Sequence, residues 1–178
     1  MANAVINTTA MAAENVSEYK KVGVYTSADV MNGTIVTLGA MSVDNTSKVV
    51  KDYSYAVALG TANLAAGADF YVVVTPEVPT GVANIYDDPR EFINKAGKPL
   101  SLNRVLVGDT IEVTAEVFGS ADDFPIASEV GYVVPTAANG KLGTPASSSE
   151  YATFKVEALS TMTFGNEIVP SCILRRVA

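Results

Sequence analysis

The chain has no histidine, no tryptophan and a single cysteine, Cys172. A disulfide within the chain is therefore impossible, and zinc sites built from cysteine and histidine are excluded. Catalytic mechanisms that need a histidine as general base are excluded for the same reason. Cys172 lies in an apolar run at residues 171–174, which predicts a buried, inert thiol. A reactive or intermolecular thiol is the alternative.

Clusters of positive charge are also missing. The formal net charge is −7, and the pairs Lys20-Lys21 and Arg175-Arg176 are isolated from one another in the sequence. Because an acidic surface repels phosphate groups, we expect no nucleic-acid partner. The charge favours solubility or a basic partner surface. Arg175-Arg176 is either a solvated end of the chain or a contact for an acidic partner.

Long apolar runs are absent as well. No stretch reaches about 18 uninterrupted apolar residues, so the sequence predicts no membrane partner. Residues 2–13 lack the basic residues and the continuous apolar core of a signal peptide. We therefore expect synthesis and folding in a cytoplasm.

What the chain does contain is a series of short β-forming segments separated by turn residues. Its 178 residues, 48% apolar and 17% charged, suit one globular domain with or without arms. The spacing predicts an all-β fold, an antiparallel sandwich or barrel of about eight or nine short strands. The predicted strands are residues 21–27, 34–43, 53–60, 70–75, 110–118, 130–134, 154–160 and 168–177.

Glycine and asparagine mark the connections between these segments. Asn32-Gly33, Asn139-Gly140 and Gly165-Asn166 predict tight turns. Gly39, inside the second segment, indicates a bulge or a close approach of two backbones.

The domain organisation is predicted as an N-terminal arm, residues 1–17, followed by a β domain, residues 18–178. The arm has two interpretations: a frayed terminus or short edge strand, or an extended segment that orders against a neighbouring subunit. Prolines and a glycine in residues 76–99 make this region the candidate subdivision of the β domain. One barrel and two β subdomains both stay open.

Charge, turn chemistry and strand pattern change together between residues 86 and 117. Asp87-Asp88-Pro89 is typical of a helix start, so the sequence predicts a short helical turn near 88–95. Gly97 and the proline after it end that turn. Residues 110–117 then alternate polar and apolar side chains, which is typical of a half-buried strand.

Within this region the run REFINKAGKPLSLNRVLVGDTIEVTAE, residues 90–116, resembles a segment of small virion proteins of tailed bacteriophages. Those proteins are typically encoded near the major capsid gene, and they pair a short FIN–AGK turn with a VGD strand opening. The resemblance implies a head-associated structural protein, such as a capsid decoration (cement) protein. It brings no catalytic residue with it.

Paired carboxylates are the remaining candidates for chemistry. Asp87/Asp88 and Asp122/Asp123 have a precedent in glycoside hydrolysis. Adjacent turn residues usually point apart, however, and a helix N-terminus accounts for the first pair. The turn at residues 119–125 has calcium-ligand side chains but lacks the spacing of a calcium loop. We therefore predict a non-enzymatic protein with no metal and no cofactor.

These observations favour a viral structural protein on the capsid surface of the virion, made in the host cytoplasm. Its expected partner is the major capsid protein, and a second copy of the chain (a homo-oligomer) is the further candidate. For the apolar candidates, the alternative to a partner contact is burial in the core. For Arg90, the alternative is an ion pair with Asp87 or Asp88. The candidate contact residues are Val5, Ile6, Arg90, Phe92 and Leu142.

A β-sandwich adhesion or carbohydrate-binding module, displayed on a particle or fibre, is the alternative function. It draws on the eight tyrosines, most of which lie in predicted strands. Clustering of tyrosines on one exposed face would favour this alternative, and their burial would remove it.

Overall fold

A computed structural model describes residues 2–44, 52–65, 67–76, 89–148, 150–151 and 153–177. In these ranges the chain forms ten strands: β1 (Ile6–Asn7), β2 (Lys20–Val24), β3 (Ile35–Asp44), β4 (Asp52–Leu59), β5 (Tyr71–Val73), β6 (Pro99–Arg104), β7 (Thr110–Thr114), β8 (Val133–Val134), β9 (Phe154–Phe164) and β10 (Glu167–Arg176). The helical elements are α1 (Ala12–Asn15) and the 3-10 turns Ser17–Tyr19, Pro89–Glu91, Ala115–Val117, Ala121–Asp123, Ala127–Glu129 and Ala138–Gly140.

The strands form one open sheet and one closed barrel. The order in the sheet is β1-β7-β10-β9-β8, with every pair antiparallel, and the barrel has the order β2-β4-β3-β5-β6. The all-β prediction is confirmed. One pair departs from the antiparallel expectation, because β2 and β4 run parallel.

A shared hydrophobic core joins the sheet to the barrel. Ile35 and Val72 reach it from the barrel, and Phe154 and Leu174 reach it from the sheet. The ring of Phe154 meets that of Phe70 edge-on, with centroids 5.9 Å apart. β5 is buried on both faces, as its continuous apolar run predicts. The other face of β5 contributes Tyr71 and Val73 to a second apolar cluster inside the barrel. The other buried members of this cluster are Val30, Val36, Leu100 and Leu102.

The chain changes from barrel to sheet between β6 and β7, outside the predicted subdivision at residues 76–99. The physical reason is that β6 closes the barrel by pairing with both β2 and β5. The predicted helical turn near 88–95 is a 3-10 turn, Pro89–Glu91, and Asn94 already bridges to Val30. Asp87 and Asp88, the predicted helix start, lie outside the described residues.

Residues 2–17 pack into the β domain and do not form a separate arm. β1 pairs with β7 at the edge of the sheet, and Ala4, Met11 and Ala13 are buried. The short edge strand, one of the two interpretations of this segment, therefore describes it. This packing is favourable because it removes apolar side chains of the segment from water.

Local turn signals are confirmed where the structure describes them. A turn at Asn32-Gly33 precedes β3, and Gly165-Asn166 connects β9 to β10. Asn139-Gly140 lies in a 3-10 turn. Gly39 falls in the register shift between β3 and β4, which is the bulge that its position indicates.

Glu14 of α1 connects the N-terminal segment to the barrel. Its carboxylate accepts hydrogen bonds from Thr8 Oγ1 at 2.5 Å, Asn103 Nδ2 at 2.8 Å and Lys20 Nζ at 2.9 Å. The Thr8 hydroxyl has the largest effect and lowers the pKa of Glu14 below its ordinary value, with Lys20 and Asn103 acting in the same direction against burial. The folded state therefore favours the charged carboxylate.

We predict that Glu14→Gln lowers the free energy of unfolding near neutral pH by about 1–3 kcal/mol, because hydrogen bonds to a charged acceptor contribute about that much. A carboxylate whose pKa is depressed by folding stabilises the protein above its unfolded pKa. That contribution is lost as the pH falls through the folded pKa. Denaturant titrations at neutral and acidic pH should therefore show the difference from wild type shrinking toward acid.

The matched control is Glu18→Gln, which changes an exposed glutamate of the same segment. It should unfold like wild type across the pH range. Equal stability of Glu14→Gln and wild type at neutral pH would contradict the predicted role of Glu14.

Candidate interaction surface

The hairpin of β9 and β10 extends past its neighbouring strands. β7 pairs with β10 only from Ser171 onward, and β8 pairs with β9 only at Phe154 and Lys155. Within the described part of the chain, the strands at residues 159–170, here called the ribbon, pair only with each other. Gly165, with φ at +58°, forms the two-residue turn at its tip, where a left-handed backbone favours glycine.

One face of the ribbon continues the face that forms the core. On β10, Cys172 and Leu174 are fully buried, and every second residue of a strand points to the same side. The same side of the ribbon is exposed, with Leu159 at 39% and Ile168 at 67%. The register places its members opposite one another or opposite Cys172. This surface, the hairpin face, consists of Leu159, Thr161, Thr163, Ile168 and Pro170, all exposed and all uncharged.

Arg90 supports the opposite face of the ribbon. Its guanidinium lies over the ring of Phe164, 5.3 Å from the centroid. Its Nη2 is 2.8 Å from Oε2 of Glu167, which lies directly across the hairpin from Phe164. The carbonyl of Arg90 also accepts a hydrogen bond from the backbone N–H of Asn3. These contacts stabilise the ribbon on the face opposite the hairpin face, and the hairpin face remains exposed.

The predicted contact residues do not gather on one surface. Val5 and Leu142 are buried, so their side chains have no surface to offer a partner. Ile6 is half-buried in β1, and Phe92 is half-buried beside the 3-10 turn. Arg90 is mostly covered and pairs with Glu167. The core alternative therefore describes Val5 and Leu142. Leu142 belongs to the shared core, and Val5 is held against Thr114 by two hydrogen bonds.

The hairpin face was missed by the sequence-based prediction. The predicted strand at residues 154–160 ends four residues before β9 does. The run 158–166, ALSTMTFGN, has no charged residue, but this does not single it out, because residues 30–43 and 53–68 are also uncharged. Alternation alone does not show which side of a strand is covered by a second layer.

Of the two predicted carboxylate pairs, the structure describes Asp122/Asp123, and Asp123 stabilises a turn. Asp123 accepts hydrogen bonds from the N–H and hydroxyl of Ser120 and from the hydroxyl of Thr144. The Thr144 hydroxyl, first among these, lowers the pKa of Asp123. Among the described residues, no group of three or more His, Cys, Asp or Glu side chains is arranged to hold a metal ion. No helix in the described ranges is long and apolar enough to cross a membrane.

Cys172 is fully buried, as predicted. Burial, with a smaller effect from Glu112, raises the pKa of its thiol to about 12. The thiol is therefore protonated and inaccessible in the folded protein.

The tyrosines form no exposed cluster among the side chains that the structure describes. Tyr71 is buried and Tyr151 is exposed at 38%. The side chain of Tyr53 and the whole of Tyr86 lie outside the description. The half-buried tyrosines are Tyr19, Tyr25, Tyr55 and Tyr132.

We predict that Arg90→Ala loosens the ribbon without unfolding the protein. An exposed ion pair and a cation–π contact together contribute on the order of 1 kcal/mol. Backbone amides of residues 161–169 should therefore exchange with deuterium about five times faster. Lys95→Ala, which removes another surface ion pair, with Asp29, should leave that exchange unchanged. Identical ribbon exchange in Arg90→Ala and wild type would refute the bracing role.

No family model, curated protein or solved structure matches this chain.

Proposed function

We propose that this protein is a non-enzymatic virion structural protein that binds the capsid lattice of a tailed bacteriophage and stabilises it as a decoration (cement) protein. The observation that carries the proposal is the hairpin face, an exposed and uncharged sheet surface on a chain of net charge −7. The sequence resemblance of residues 90–116 supports the same function and suggests the major capsid protein as partner.

The hairpin face has the chemistry of a surface that is buried in a complex. Leu159 and Ile168 are large aliphatic side chains that remain exposed at 39% and 67%. Full burial of such a side chain contributes about 1.5–3 kcal/mol. Because the face has no charged group, a partner can cover it without removing an ion from water. Contact with a flat, apolar part of a capsid subunit would therefore be favourable.

The size of this face indicates that one contact is weak. The longer strand of the ribbon is about 20 Å long and the shorter about 13 Å. One face is therefore much smaller than the roughly 800 Å² per partner of a stable interface. A capsid presents the same site many times, and linked contacts gain affinity through effective concentration. Attachment of this kind depends on several sites being engaged together.

The carbohydrate-binding alternative has less support. It requires a platform of exposed aromatic rings, and of the described tyrosine side chains one, Tyr151, counts as exposed. The hairpin face itself contains no aromatic side chain.

We predict that Ile168→Asp weakens binding to capsid shells assembled without this protein by at least about tenfold, because burying an unpaired carboxylate is costly. Co-sedimentation of the purified protein with the shells measures the bound fraction. The matched control is Val107→Asp, which changes an aliphatic side chain of similar exposure, 65% against 67%. Gly108 bonds to Arg176, so Val107 lies about 25 Å from Ile168 along β10.

Val107→Asp should bind shells like wild type. Equal binding by Ile168→Asp and Val107→Asp would exclude the hairpin face as the contact. Failure of the wild-type protein to co-sediment with shells, combined with retention on glycan columns, would overturn the proposed function in favour of the carbohydrate-binding alternative.

A further inference from the structure

Among the described residues, most of the outer edge of β9 has no strand paired to it. β8 pairs with this edge only at Phe154 and Lys155. The last main-chain hydrogen bonds there join Val156 to Gly131 and Tyr132, both at 2.8 Å. In the ranges that the structure describes, no strand covers this edge at residues 157–164. An edge of that length exposes a row of N–H and C=O groups that can pair with another strand.

The sequence of this edge lacks the side chains that usually prevent strands from pairing. Proteins protect exposed edges with charged residues, prolines or bulges. Residues 158–164, ALSTMTF, contain neither a charge nor a proline. The other edge of the same ribbon, on β10, carries Glu167 and Pro170. The register shift of the hairpin lies below the ribbon, between Ile173 and Leu174.

We propose that β9 pairs in antiparallel fashion with β9 of a second copy, about a two-fold axis. The exposed edge gives the place, and the absence of charge there allows a second copy to occupy it. Two chains of net charge −7 repel each other over most of their surfaces. Residues 158–166 have no charged side chain, so two copies can meet there without opposing like charges. A two-fold contact uses the same edge on both copies and therefore closes as a dimer.

The surroundings of the edge limit the register. Gly131 and Tyr132 occupy the edge at Val156, so the hairpin tip of the second copy, Gly165-Asn166, must stop short of that point. Centring the axis on Met162 satisfies this condition. Each Met162 then lies opposite its counterpart, and each Thr161 lies opposite Thr163 of the other copy. Threonine pairs of this kind are favourable across antiparallel strands.

Pairing in this way has a consequence for the hairpin face. Directly opposed residues of antiparallel strands point to the same side of the sheet. The hairpin faces of both copies would therefore form one continuous surface of twice the size. This consequence rests on the proposed function, whereas the dimer itself does not.

Light scattering over a range of concentrations tests the dimer. Few residues of each copy take part, so we expect a weak equilibrium, on the order of 10–100 µM. The average mass should rise from 18.6 kDa toward twice that value as concentration increases. Met162→Lys, which opposes two like charges at the axis, should stay monomeric. Val169→Lys is the matched control, because Val169 is the cross-strand partner of Met162, on the same face and also half-buried.

Single-cysteine variants test the register. Cys172 is buried, so an introduced cysteine is the reactive thiol. Met162→Cys should form a disulfide dimer on mild oxidation, because opposed residues lie about 4.5–5.5 Å apart. Thr161→Cys should crosslink far less, since its counterpart is displaced along the strand. Ser147→Cys, at an exposed site outside the ribbon, gives the background of random collision.

A monomer at every concentration, with Met162→Cys no faster than Ser147→Cys, would overturn the proposed dimer. Loss of the dimer in Met162→Lys but not in Val169→Lys, together with crosslinking through Met162→Cys, would support it. Shell binding by wild type is measured separately, so a failure of the dimer and a failure of the proposed function give different results.

Discussion

The alternation of side chains along β10 is the constraint on which the rest of the structure depends. Leu174 and Cys172 point into the shared core, so Pro170 and Ile168 must point to the same side of the sheet. A register slip of one residue would expose Cys172 and turn Ile168 to the opposite face. The exposed hairpin face is therefore a direct consequence of the register that builds the core.

The other end of β10 holds the barrel and the sheet together. The guanidinium of Arg176 lies over the ring of Phe70, 4.3 Å from its centroid, and donates hydrogen bonds to the carbonyls of Val105 and Ala68. Burial lowers the pKa of Arg176, and these acceptors compensate for the water that the cation loses. Arg175 pairs with Glu157. The predicted solvated end is therefore wrong for Arg176, which is buried. Arg175 remains partly exposed, with 41% of its side chain accessible.

The exposed half of the hairpin contains two different surfaces. Its face is uncharged and matches a flat partner, whereas the edge of β9 offers main-chain groups and matches another strand. The absence of charge serves both, because an acidic chain approaches any neighbour most easily where it carries no charge. Arg90 contacts the ribbon on the face opposite the hairpin face, and so leaves both the hairpin face and the edge of β9 uncovered by its own side chain.

The sequence by itself determined most secondary-structure elements and turns, because these depend on short-range patterns of residues. Glycine turns, the bulge at Gly39, the burial of Cys172 and most strands follow from propensity and period-two patterns, which act over a few residues. Tertiary structure decided the closure of the barrel, the parallel pairing of β2 with β4, and the capture of β1 and β6, because each depends on segments distant in the sequence. It also decided that Leu142 is buried and Ile168 is exposed. Both are aliphatic residues in a β-rich chain, and what separates them is whether a second layer of the fold packs against them.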